Sequence, residues 1–224
     1  MAKQKAQEFF TLSRTLIANL ENDLRNLLSS SSAADSKTTF TVDLLISKYS
    51  ERHRFYHNLS HVHSLLCHAE NFKNKFVDYQ AVRLAVWFHD AIYEPQSQIN
   101  EIESARLAVE SLTELKFPRA EIKKVEKMIL ATQKHDAFGL DTDGKLFLDL
   151  DLGILGAKTV VYKKYAKAIR QEYAFAPESL YRHKRRIVLE SFLKSKFIYY
   201  TDEMRELLEK AARANIANEI KELS

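Results

Sequence analysis

The stretch that most constrains the fold is Leu84-Ala85-Val86-Trp87-Phe88-His89-Asp90-Ala91-Ile92-Tyr93. Eight of its ten residues are apolar or aromatic, which marks it for the interior. His89 and Asp90 lie side by side in the middle of that run. An imidazole and a carboxylate taken out of water without partners cost several kcal/mol, so the chain must supply something to satisfy both. A divalent ion does so by taking a neutral ring nitrogen and a carboxylate oxygen together. A hydrogen-bonded His–Asp pair with no metal does so as well. The stretch by itself leaves both readings open, and the decision lies with residues elsewhere.

Only four glycines and three prolines punctuate 224 residues. Tight hairpin turns consume Gly, Asn and Pro, so helices joined by short polar loops are expected instead. At this length and 46% hydrophobic residues the chain can bury one large core or two small ones. The 34 basic and 30 acidic residues are interspersed, giving a net charge of +4. That mild excess, with a pI near 9.0, is not the dense basic stripe that nucleic acid requires, and no nucleic-acid partner is expected. The basic run Arg182-His183-Lys184-Arg185-Arg186 is set among Ile187, Val188 and Phe192 and reads as the solvated face of an amphipathic helix. The single cysteine, Cys67, excludes an internal disulfide and a cysteine-based zinc site. No apolar run approaches the roughly 18 residues of a membrane span. Met1-Ala2-Lys3-Gln4-Lys5 lacks the apolar core of a signal peptide, so a cytoplasmic protein is expected.

Apolar residues at Phe9, Leu12, Leu16, Leu20, Leu24 and Leu27 predict a helix from Phe9 to Leu28. Residues Ser29 to Ser36 read as a surface loop, followed by a helix over about Thr39 to Tyr49 and an ordered loop to Asn58. Asn58 is placed to cap a helix ending near Asn71, and Asp78 to cap one that contains the opening stretch and ends near Tyr93. After a break at Glu94 to Ile99, Asn100 can cap the next helix with Glu101 in its first turn. Pro118 begins another, through about His135. A loop from Asp136 to Gly144 leads to the apolar run Leu146 to Leu155, interrupted by Asp149 and Asp151. Helices follow to about Tyr173, from Pro177 to about Phe197, and after Asp202. With no repeat and no shift in composition, one all-α domain over residues 1–224, a bundle of roughly nine or ten helices, is expected.

Four pieces carry chemistry: Tyr56-His57-Asn58-Leu59-Ser60-His61, His89-Asp90, Thr132-Gln133-Lys134-His135 and Leu148-Asp149-Leu150-Asp151-Leu152. Two imidazoles and one or two carboxylates make a site with open positions for water, and a divalent ion there would help hydrolysis of a phosphate ester. Mixed nitrogen and oxygen ligands admit Mn, Fe, Co, Ni, Zn or Mg. An ordered series of His, adjacent His-Asp and a distant Asp in an apolar run resembles the HD superfamily of metal-dependent phosphohydrolases. The likeness covers roughly Tyr49 to Glu219. The strings Tyr56 to His61, Trp87 to Tyr93, Asn100-Glu101, Asp149 to Leu152 and Ala212-Arg213-Ala214-Asn215 resemble one uncharacterised branch, described as predicted metal-dependent HD phosphohydrolases.

The resemblance implies an HD-like helical bundle in which His61, His89 and Asp90 bind one divalent ion and a later Asp closes the site. Asp149 and Asp151 compete for that place, and Asp151, followed by Leu152 and a small residue, fits the family pattern better. The related cyclic-nucleotide phosphodiesterases share a His-Asn-x-x-His string, and by that similarity His57 is the general acid, a role suited to imidazole near neutral pH. Asn100, Glu101 and His135 are candidates for a second metal or for the pocket wall, and Arg54 and Arg185 for a substrate phosphate. Some HD nucleotidases carry a catalytic Glu three residues after the His-Asp pair, where this chain has Tyr93. The implied activity is hydrolysis of a small phosphate ester, a nucleotide or a phosphorylated metabolite. A non-catalytic HD-fold module that senses metal or nucleotide, and an HD oxidase with two irons, are the alternatives.

Overall fold

The computed structural model describes residues 12–29 and 34–223. Among these every regular element is helical. The helices are α1 (Arg14–Leu28), α2 (Asp35–Tyr49), α3 (Leu59–Asn71), α4 (Tyr79–Phe88), α5 (Asn100–Glu114), α6 (Arg119–Thr132), α7 (Thr142–Asp151), α8 (Thr159–Glu172), α9 (Glu178–Lys194) and α10. The last begins at Asp202–Met204, passes through a π-helical turn at Arg205–Glu209 and continues over Lys210–Glu222. Among the described residues there are ten helices, in line with the nine or ten expected. None is long and apolar enough to cross a membrane. The Phe9 end of the first stripe and Ser30 to Ala33 lie outside the described residues.

Several helix starts follow local chemistry that the sequence displays. Ser13 accepts from Leu16 N–H, Asn58 from Ser60 N–H and Asp78 from Ala81 N–H, each side chain satisfying one of the free donors at a helix start. Pro118 and Pro177 stand just before α6 and α9 rather than in their first turns. α2 starts at Asp35, four residues earlier than expected, with that carboxylate in the first turn where the helix dipole favours it.

The chain divides into two compact units, Met1–Phe147 and Leu148–Ser224, and the division falls within α7. In the first unit α4 is the central element, packed by α1, α3, α5 and α6. Ala81, Val82 and all of Leu84 to Phe88 are fully buried, while Arg83 reaches Asp23 at 2.6 Å. Asp143, itself buried, accepts from Val77 N–H and Asp78 N–H at 2.8 Å and pairs with Lys124 at 2.6 Å.

In the second unit the 3₁₀ segment Leu152–Gly156 packs on α8 and on the last stretch of α10. A Cβ at Gly156 would lie 2.6 Å from the Leu208 Cβ and 3.0 Å from its carbonyl oxygen. Gly156→Ala is expected to lower stability by about 1–3 kcal/mol through overpacking, measured as a lower urea midpoint at unchanged slope. Asn215 donates to Leu155 O and Ala157 O at 2.9 and 2.8 Å. Arg213 pairs with Glu209 and donates to the carbonyls of Leu193, Ser195 and Lys196. The string Ala212-Arg213-Ala214-Asn215 is thus accounted for by fastening within this unit.

Candidate metal centre

Three local devices build the centre. Asn58 caps α3 through its side-chain oxygen, at 2.9 Å from Ser60 N, and donates to Phe55 O at 3.1 Å. His57 consequently sits just before the helix, and His61 in its first turn, 4% exposed. At the second device α4 stops at Phe88 rather than near Tyr93, a correction to the expected span. His89 is its C-cap, and the chain turns at Asp90. The helix ends there, and the backbone groups that follow it are taken up from outside. Arg54 donates to Asp90 O at 2.6 Å and to Ala91 O at 2.9 Å. The Ser104 hydroxyl then pairs with both the N–H and the carbonyl of Ile92.

The third device fixes the His89 ring. Its Nδ1 lies 2.9 Å from Val86 O. A carbonyl only accepts, so Nδ1 carries a proton and the lone pair of the neutral ring is on Nε2. That Nε2 lies 3.2 Å from His61 Nε2 and 3.0 Å from Asp90 Oδ2, and Asp90 Oδ2 lies 3.7 Å from His61 Nε2. Two ring nitrogens and a carboxylate oxygen at these separations must have protons or a cation between them. Ligand atoms about 2.1 Å from one ion stand about 3.0–3.4 Å apart in octahedral or tetrahedral sets; the two spacings from His89 Nε2 fall in that range, and the 3.7 Å from His61 to Asp90 lies outside it. Burial pushes the Asp90 carboxyl up, but the His89 charge and hydrogen bond, with His57 and His61 behind them, hold it well below the usual carboxylate range.

α7 contributes the last acid. His61, His89 and Asp151 each offer a ligand atom, these atoms lie within 4.8 Å of one another, and the group can hold a metal ion. Asp151 ends α7 and precedes the 3₁₀ segment. Asp149 is two residues earlier, about 200° around the helix, and faces elsewhere. Its fully buried carboxylate accepts from Tyr200 N–H at 2.6 Å, Thr201 N–H at 2.7 Å and the Thr201 hydroxyl at 2.6 Å. Burial pushes this carboxyl up, against those three hydrogen bonds.

The remaining candidates separate into two groups. His57 is partly exposed, with its ring centroid 6.0 Å from that of His61 and stacked 4.3 Å from Tyr93. Burial pushes the Glu101 carboxyl up; the Asp90 charge adds to this, and His135 and His57 oppose it, which places Glu101 and His135 in the electrostatic field of the centre. His135 has φ +47°, a left-handed conformation that costs a non-glycine residue energy and is concentrated at functional sites.

Asn100, Arg54 and Arg185 are engaged otherwise than expected. Asn100 is the first residue of α5 rather than its cap, and its amide pairs with both backbone groups of Glu94, closing the 94–100 loop. Arg185 pairs with Glu219 at 2.8 and 3.2 Å. The Arg54 guanidinium is wholly buried on backbone carbonyls and Glu51, out of reach of a substrate phosphate. Sequence reasoning missed Val86 and Ser104. Val86 acts through its carbonyl, for which residue type gives no signal, and Ser104 looks like any small residue on a helix. No family model, curated protein or solved structure matches the chain.

Proposed function

We propose that the protein is a metal-dependent phosphohydrolase of the HD type, acting on a small phosphate ester, a nucleotide or a phosphorylated metabolite. One divalent ion would be held by His61, His89, Asp90 and Asp151. The observation that carries this reading is the His89 ring. Its Nδ1 is committed to Val86 O, so that Nε2 faces the Asp90 carboxylate at 3.0 Å and the second imidazole at 3.2 Å. When bound, a divalent ion lowers the pKa of coordinated water and polarises a phosphoryl oxygen.

The chain's own residues supply the rest. His57, partly exposed beside the ligand rings, gives a proton to the departing ester oxygen. Tyr93, stacked on that imidazole, limits its rotation and shields one face from water. Glu101 and His135 form the polar wall against which the leaving group and sugar or acyl portion of a substrate would rest.

The test is metal content by elemental mass spectrometry, followed by hydrolysis of p-nitrophenyl phosphate, bis(p-nitrophenyl) phosphate and a panel of nucleoside phosphates. Wild type is expected to hold about one equivalent and to turn over at least one ester. His57→Gln should keep the metal and lose roughly 10²–10⁴-fold in turnover, the usual worth of a positioned acid. A protein empty of metal even after incubation with Mn, Ni and Zn would end the metal reading. A loaded protein inert across the panel would end the hydrolase reading in favour of a sensing module.

A further inference from the structure

The most heavily engaged charged side chain near the centre is one that neither binds the ion nor meets solvent. Arg54 is 0% exposed at its side chain. Its Nε donates to Glu51 Oε2 at 3.0 Å, Nη1 to His57 O at 3.1 Å and Asp90 O at 2.6 Å, and Nη2 to Ala91 O at 2.9 Å. Its guanidinium carbon lies 5.2 Å from the Tyr49 ring centre and 5.4 Å from that of Tyr93. Burying a cation is costly, and this one has a single carboxylate partner, itself about one-third exposed. A chain that only needed to fill this space would use an apolar side chain.

We propose that Arg54 is a positioning residue for the metal centre, tying the loop that carries His57 to the turn that carries His89 and Asp90. The proposal rests on the metal-site reading above. Its geometry explains the choice of side chain. The three carbonyls come from two segments, residue 57 on one side and residues 90 and 91 on the other. Only a planar fork with five fixed donors reaches both at once, and a lysine ammonium offers charge without that fork. The Asp90 backbone is gripped at its carbonyl while its side chain faces His89 Nε2 at 3.0 Å, so the grip sets where the carboxylate stands. The same guanidinium lies over Tyr93, whose ring stacks on His57. One side chain thereby fixes the proton donor and a ligand relative to each other.

The experiment uses Co²⁺, whose visible absorption reports ligand geometry without any substrate. Wild type, Arg54→Lys, Glu51→Gln and the surface control Arg119→Gln are titrated with Co²⁺, and folding is followed by circular dichroism. Arg54→Lys is expected to stay helical, to bind Co²⁺ about 10–100-fold more weakly, as losses behind a ligand do, and to show a shifted visible band. Arg119→Gln should match wild type. A folded Arg54→Lys with wild-type affinity and spectrum overturns the proposal while leaving the metal site intact. If Arg54→Lys does not fold, Glu51→Gln decides: a weakened affinity with a shifted band supports the clamp, and an unchanged protein overturns it. Wild type that takes up no Co²⁺ brings down the metal-site reading and this proposal together.

Discussion

Asp151→Asn is expected to empty the metal centre and leave the fold, whereas Asp149→Asn should do the reverse. The two residues are separated by one position and differ in what they face. Asp149 is fully buried and accepts two backbone N–H groups and a hydroxyl, all from Tyr200 and Thr201. An asparagine there has one acceptor oxygen, so its amide nitrogen opposes at least one of those donors. An unsatisfied buried donor costs about 1–3 kcal/mol, and the urea midpoint should fall accordingly while metal content per folded chain is unchanged. Asp151 is only partly buried and shares the 4.8 Å group with His61 and His89. Replacing it removes a negative ligand, and Mn²⁺ affinity should fall by about 100-fold or more, above the loss that an outer partner of a ligand produces. Stability measured without metal should stay within about 0.5 kcal/mol of wild type, as for substitutions outside the core. Metal loss in Asp149→Asn with retention in Asp151→Asn would reassign the fourth ligand.

The same pair shows where residues declare their role and where they do not. Both aspartates stand out in the apolar run Leu146 to Leu155, and the sequence pattern ranks them without separating them physically. Separation needs Thr201, 52 residues away, which no local rule connects to Asp149. Helix starts at Leu59 and Tyr79 were legible because Asn58 and Asp78 are short-range caps. The end of α4 was not: apolar residues continue to Tyr93, while the Ile92 N–H that a longer helix would direct at Phe88 O is donated to the Ser104 hydroxyl instead. Arg54 itself looked like a phosphate binder for the reason that it is a clamp. A guanidinium fits either oxygen array, and only burial distinguishes them. His89 and Asp90 were legible as a pair, since an imidazole and a carboxylate in an apolar run must be compensated, and His61 was joined to them by the family resemblance. The tautomer of His89 was not legible, because its determinant is a backbone oxygen.

Metal binding should release the proton that His89 carries beforehand, and Asp90→Asn should lose both the release and the ion. Without metal, Asp90 Oδ2 and His89 Nε2 stand 3.0 Å apart with His89 Nδ1 already committed to Val86 O. A proton between them makes His89 an imidazolium donating to the carboxylate, which is the interaction that holds Asp90 below the usual carboxylate range against the effect of burial. A metal ion requires the neutral imidazole, so the proton must leave. The sign follows: affinity for Mn²⁺ rises with pH while His89 is protonated, and proton release falls toward zero once His89 is neutral beforehand. Calorimetric titrations in two non-coordinating buffers of different ionisation enthalpy measure the number directly. In Asp90→Asn the carboxylate that stabilises the imidazolium is gone, along with one negative ligand, so affinity should drop by about 100-fold or more. Thermal denaturation reads the same loss independently. Mn²⁺ at 100 times its dissociation constant stabilises wild type by about 2.7 kcal/mol, and the variant at that concentration should gain little. Tight binding by wild type with no proton released would show His89 neutral before the ion arrives. The 3.0 Å contact would then need its proton from elsewhere.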